Sequence, residues 1–142
     1  MRRHRLATAL VAWTFLVWTT RIANIWRDAD LDTGERWGRT LLALSFTVLA
    51  IAAGVALWRR LLQATVVAVG ALAAWTIAVW AVRGVGILAG DHDPGFKAVH
   101  TVLAVVSIVL AVLAWREIRR ETRREASGPA ATSGPVPAER RG

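Results

Sequence analysis

The chain contains no cysteine. That excludes a disulfide, a thiolate metal site and a CxxC redox centre, and with them the quinone-linked thiol oxidoreductases built on small helical bundles. Of its three histidines, His4, His92 and His100, only His100 falls inside an apolar stretch. One chain therefore cannot assemble a transmembrane bis-histidine haem site. No nucleotide-binding loop, nucleophile motif or pair of catalytic carboxylates occurs. These absences predict a protein that is not an enzyme and holds no cofactor.

What the sequence has in abundance is apolar length. Of 142 residues 55% are hydrophobic, eight are tryptophan, and the formal charge is +8. Four apolar stretches, Leu6 to Trp26, Leu41 to Trp58, Leu61 to Val82 and Ala98 to Trp115, are separated by charged or glycine-bearing breaks. Each is near the ~20 residues that an α-helix needs to cross ~30 Å of hydrocarbon. The remainder is charged loop and tail, with no amphipathic element left to cover four such helices in a water-soluble core. The expected fold is all-α, a transmembrane four-helix bundle over residues 1–125, with the fourth helix extended to about 125 and a disordered cytoplasmic tail over 126–142. The run "ASGPAATSGPVPAERRG" has the composition of such a tail. The basic opening Met1 to Arg5 before an apolar run resembles a signal peptide, but no small-x-small cleavage site follows, so the first helix is expected to stay as an anchor.

Basic residues sort by side. With the N-terminus inside, Arg2, Arg3, Arg5, Arg59, Arg60, Arg116, Arg119, Arg120, Arg123 and Arg124 are cytoplasmic, against Arg27, Arg36, Arg39, Arg83 and Lys97 outside. Both termini are then cytoplasmic, and the basicity needs no nucleic-acid partner. Trp58 and Trp115 are expected at the inner boundary and Trp26, Trp37 and Trp80 at the outer one, where an indole has a wet and a dry side. Trp13, Trp18 and Trp75 lie deeper, as packing residues. Glu117 with Arg120 and Glu121 with Arg124 have i,i+3 spacing for helix-surface ion pairs.

"ALVAWTFLVWTTR" (9–21) returns as "ALAAWTIAVWAVR" (71–83), agreeing at eight of thirteen positions at an offset of 62. At offset 61, Asp32 maps to Asp93, Leu42 to Leu103, Ala43 to Ala104, and Val48-Leu49-Ala50 to Val109-Leu110-Ala111. The pattern predicts two parallel repeated helical hairpins related by an axis along the membrane normal. Asp32 with Glu35, and Asp93 with Pro94, have the spacing of helix N-caps. Leu10, Thr14, Val17, Trp18 and Arg21 share one helical face, as do Leu72, Thr76, Val79, Trp80 and Arg83. Ala50, Gly54, Gly70, Ala74, Ala78, Ala104, Ser107, Ala111 and Ala114 are candidates for close helix approach.

The polar residues point to the outer mouth of the bundle. Arg21, Asn24 and Asp28 descend one side of the first helix, Lys97 and His100 begin a stripe on the fourth, Asp91-His92-Asp93 lies in the loop above, and Arg83 ends the third apolar stretch. From Leu6 to Arg21 the first helix gains only ~22 Å, which sets Arg21 at or within the interface. Two facing guanidiniums need a carboxylate or a bound anion between them. Asp91, His92, Asp93 and His100 are metal-ligand types, but their spacing fits no dedicated site and nearby cations oppose a metal, so no metal is expected. A comparison with the small multidrug-resistance carriers fails because no acid lies within a span.

The segments "WRD", "DHDPGFKAVH" and "VLAVVSIVLAVLAW" resemble small, functionally uncharacterised four-span membrane proteins of high-GC bacteria, over about residues 6 to 120. The resemblance implies a plasma-membrane protein with its helices packed as a bundle, and no particular activity. The expected function is association with lipids, anionic ones among them, with a second copy of the chain or with a membrane-protein partner. The alternative is a small transporter or channel subunit with an anion-selecting outer mouth.

Overall fold

A computed structural model of the chain describes residues 4–127. Four helices follow one another: α1 (Arg5–Arg27), α2 (Thr33–Trp58), α3 (Leu62–Ala89) and α4 (Pro94–Ala126). All four are long and apolar enough to cross a membrane, and no strand occurs among the described residues. The molecule is a multi-pass membrane protein. Arg2, Arg3 and all but the first two residues of the expected tail lie outside the described residues.

The helices alternate in direction and form a ring in which each packs on its neighbours in sequence and α4 closes on α1. One end of the ring, the acidic end, carries the loops with Asp28, Asp32, Asp91 and Asp93. The opposite, basic end carries the turn at Arg59 and Arg60 and the arginines of α4. Caps fix the acidic end as the spacing predicts: Asp32 Oδ1 accepts the Glu35 N–H at 2.8 Å, and Asp93 Oδ1 accepts those of Gly95 at 2.7 Å and Phe96 at 3.3 Å. Pro94 occupies the first turn of α4. At the basic end Arg60 adopts a left-handed φ of 55°, and the Leu61 N–H returns to the Ala56 carbonyl at 3.1 Å to end α2.

The helices overrun the apolar stretches at the acidic end. α2 begins at Thr33 and α4 at Pro94, directly after their aspartate caps and ahead of the apolar stretches that start at Leu41 and Ala98, and α3 continues through Arg83 to Ala89. Charged residues and glycines lower hydropathy there without breaking the backbone ladder. Arg21 and Arg83 consequently stand at matching depths, each six residues, or ~9 Å, short of its helix end.

The core is made of corresponding positions. α1 buries Ala7, Leu10, Thr14 and Trp18 where α3 buries Val69, Leu72, Thr76 and Trp80; α2 buries Ala43, Phe46, Ala50 and Ala53 where α4 buries Ala104, Ser107, Ala111 and Ala114. Indole bonds cross two seams from corresponding donors to acceptors that do not correspond, since the counterpart of Ser107 is Phe46 and not Ser45. Trp13 Nε1 donates to Ser107 Oγ between α1 and α4, and Trp75 Nε1 donates to Ser45 Oγ between α3 and α2, both at 3.0 Å. Trp18 stacks on Phe46 at 4.0 Å between ring centroids.

Small residues allow close approach at Gly54, against Val11, and at Gly70, where an added Cβ would fall 2.6 Å from the Trp115 ring. Ala74 and Ala78, expected at such a seam, are exposed instead, because the inward face of α3 runs through 69, 72, 73, 76 and 80. The outer surface of the ring is apolar, with Leu16, Leu41, Val48, Val67, Val82 and Val102 all exposed. Such a surface suits hydrocarbon as solvent.

Two expected helix-surface ion pairs give way to a stronger demand. The Glu117 Oε2 accepts the Leu6 and Ala7 N–H groups, each at 3.0 Å, and Glu121 Oε2 lies 2.9 Å from His4 Nδ1. α1 has no side-chain cap of its own and no acid in its first turn. Its free N–H groups therefore attract the Glu117 carboxylate away from Arg120, while the His4 side chain takes Glu121 in place of Arg124.

Candidate functional site

Toward the acidic end the α1–α4 seam opens into a cleft of about 430 Å³. α1 supplies Trp13, Leu16, Val17, Trp18, Thr20, Arg21 and Asn24, α4 supplies Phe96, Val99, His100 and Leu103, and α3 closes the back with Trp80, Arg83 and Ile87. The volume lies in the ~300–1,000 Å³ range of sites for small organic molecules, well above what a single halide ion needs. Most of the lining is apolar, and its polar groups gather toward the acidic end.

Four of the nine expected polar residues meet in this cleft: Arg21, Asn24, Arg83 and His100. Helical spacing explains each placement. Arg21 and Asn24 are three apart on the α1 face that carries Val17 and Trp18, Arg83 is one turn beyond Trp80 on α3, and His100 lies one turn after Phe96 on α4.

The other five take positions outside it. Asp28 ends α1, its N–H bonded to the Asn24 carbonyl. Asp93 is the α4 cap, and Lys97 Nζ donates to the Leu88 carbonyl at 3.3 Å. His92 stacks on Phe96, and Asp91 is exposed in the loop.

The two guanidiniums lack protein partners. Among the described residues no carboxylate lies within 4.0 Å of either, and neither donates a hydrogen bond to a protein acceptor; the ion pairs present are His4 with Glu121 and Arg39 with Glu35. No acid lines the cleft. Two like charges so placed in a low-dielectric wall are unfavourable unless an anion enters.

His100 faces the cleft in a fixed orientation. Its Nδ1–H donates to the Phe96 carbonyl at 2.9 Å, which leaves Nε2 free. The hydroxyl of Thr20 is occupied by the Leu16 carbonyl at 2.8 Å. Nothing in the lining is arranged as nucleophile and base. Among the described residues, no three His, Cys, Asp or Glu side chains come together as metal ligands would.

The tryptophans divide differently from expectation. Trp26, Trp37 and Trp58 are exposed, whereas Trp115 is half-buried against Gly70, with the Arg119 guanidinium 5.1 Å from its ring. Trp80, expected in the outer belt, is buried as a wall of the cleft, because α3 continues nine residues past it and the position corresponds to buried Trp18. Trp13 and Trp18 also line the cleft, and only the repeat signals their part in it. No family model, curated protein or solved structure matches the chain.

Proposed function

We propose that the chain is a bacterial plasma-membrane protein with both termini in the cytoplasm, built of two repeated hairpins, that acts by association rather than catalysis. Its kinship would lie with the small four-span proteins of high-GC bacteria that its segments resemble. The observation that carries the proposal is the pair of unpartnered arginines, Arg21 and Arg83, in one cleft without an acid. A site of this kind binds an anionic group from lipid or from a membrane partner.

At the basic end Arg116, Arg119, Arg120 and Arg123 line one side of α4 beyond the apolar stretch, a surface suited to the anionic inner leaflet. Native mass spectrometry of the protein extracted from its own membrane tests the association. A reproducible added mass that disappears in Arg21→Gln and Arg83→Gln supports it, and a bare chain in every preparation refutes it. Orientation has a clean test because the chain has no cysteine. Arg36→Cys should react with an impermeant maleimide in intact cells and Arg120→Cys should not.

The same arginines support a second reading, an anion-selecting transporter or channel subunit. That reading requires anion flux in vesicles that falls in Arg21→Ala and Arg83→Ala.

A further inference from the structure

We propose that the cleft is a lateral site for one acidic phospholipid, whose phosphodiester sits between Arg21 and Arg83 while an acyl chain lies along the apolar wall below. The proposal rests on the reading of the cleft as an anion site and names the anion's source. Three observations favour a lipid over a water-soluble anion.

The first is where the cleft opens. Leu16 and Val99, on its two rims, are exposed apolar residues on the surface that hydrocarbon covers. A ligand reaches the arginines sideways from the bilayer, past groups that offer no hydrogen bond to a hydrated ion.

The second is the order of the lining along α1. From Trp13 to Asn24 it covers twelve residues, ~16 Å of helix, about half the ~30 Å hydrocarbon thickness. Within that single-leaflet length Trp13, Leu16 and Val17 come first, and Thr20, Arg21 and Asn24 come toward the acidic end. Apolar below and cationic above is the polarity of a lipid in the leaflet at the acidic end.

The third is charge. Two guanidiniums match the non-bridging oxygens of a phosphodiester through charge-assisted N–H donation. A zwitterionic lipid also brings an ammonium, and the cleft has two cations and no carboxylate to receive it. The free Nε2 of His100 and the Asn24 amide are placed to bond the hydroxyls of a glycerol head group.

The test uses the full chain in detergent and native mass spectrometry. Phosphatidylglycerol is compared with phosphatidylcholine of the same acyl chains, and with glycerophosphoglycerol, which has the head group and no chains. The expected result is retention of phosphatidylglycerol over phosphatidylcholine by about tenfold, lost in Arg21→Gln and in Arg83→Gln, with glycerophosphoglycerol held weakly or not at all. Thermal unfolding of each single variant verifies that it is folded, and if one fails to fold the other decides.

Equal retention of the two lipids by the unaltered chain overturns the proposal. If glycerophosphoglycerol then still binds in an arginine-dependent way, the anion site stands and only its lipid source fails; if it does not, both readings fail. A preference that survives both single variants and vanishes in the combined Arg116→Gln, Arg119→Gln, Arg120→Gln and Arg123→Gln chain also overturns it, by moving the lipid to the basic end.

Discussion

Replacing Glu117 by alanine should cost the bundle about 2 kcal/mol. One carboxylate oxygen of α4 accepts both the Leu6 and Ala7 N–H groups of α1. Hydrogen bonds to a charged group contribute ~1.5–3 kcal/mol each where water is excluded. This site is only part-buried, so water recovers much of that when the side chain is removed. Loss of an ordinary N-cap costs ~0.5–2 kcal/mol, and a favourable charge at a helix N-terminus adds ~0.3–1 kcal/mol. About 2 kcal/mol is the overlap of these bounds. Glu117→Gln keeps an acceptor oxygen but loses the charge and should cost about half as much. Reversible unfolding in mixed micelles of denaturing and mild detergent measures both, with Glu125→Ala, exposed in the last turn of α4, as a control expected within ~0.5 kcal/mol of the unaltered protein. If Glu117→Ala unfolds with the control, the α1 terminus is satisfied by water and the latch has no energetic meaning.

Other outcomes follow from single contacts. Gly70→Ala should destabilise by ~1–2 kcal/mol despite the better helix propensity of alanine, because its Cβ would fall 2.6 Å from the Trp115 ring; the loss should largely vanish in a Trp115→Leu background in the same unfolding assay. Thr76 Oγ1 is buried with no partner, so Thr76→Val should raise stability by ~1 kcal/mol. A double-mutant cycle on Trp13 and Ser107 should give a coupling of ~0.6 kcal/mol, and a cycle on Trp75 and Ser45 a similar one. Zero coupling in both would remove the indole–hydroxyl bonds from the account of how the hairpins meet. Asp93→Ala should cost ~1 kcal/mol by exposing the Gly95 and Phe96 N–H groups, read by thermal unfolding.

Hydropathy and capping residues make the helices legible in the amino-acid sequence. Four apolar runs give four helices, and Asp32 and Asp93 mark the starts of two of them. The helix end at Ala89 is not legible, because glycine and charge lower hydropathy while the backbone remains helical. Facing is partly legible: the repeat places Leu10, Thr14 and Trp18 on one face with Leu72, Thr76 and Trp80, and all six are buried. Ala74 and Ala78 defy the expectation because α3 is apolar nearly all round, which leaves little periodicity to read.

The cleft is legible only in its components. Arg21 with Asn24 and His100 with Phe96 can be read from spacing within one helix. Their meeting with Arg83 depends on how three helices are ordered and splayed, which no single periodicity contains. Glu117 and Glu121 show the same limit, since a local i,i+3 pairing loses to a partner more than a hundred residues away.

That separation has a consequence for biosynthesis. The acceptor for the N-terminus of α1 is made 110 and 111 residues after the groups it satisfies, on α4, the fourth helix to leave the ribosome. Until α4 is inserted, α1 stands in the bilayer with an uncapped end and an open flank. A chain interrupted in its fourth span would then expose the marks of incompleteness to proteases at its basic end, while ring closure withdraws them.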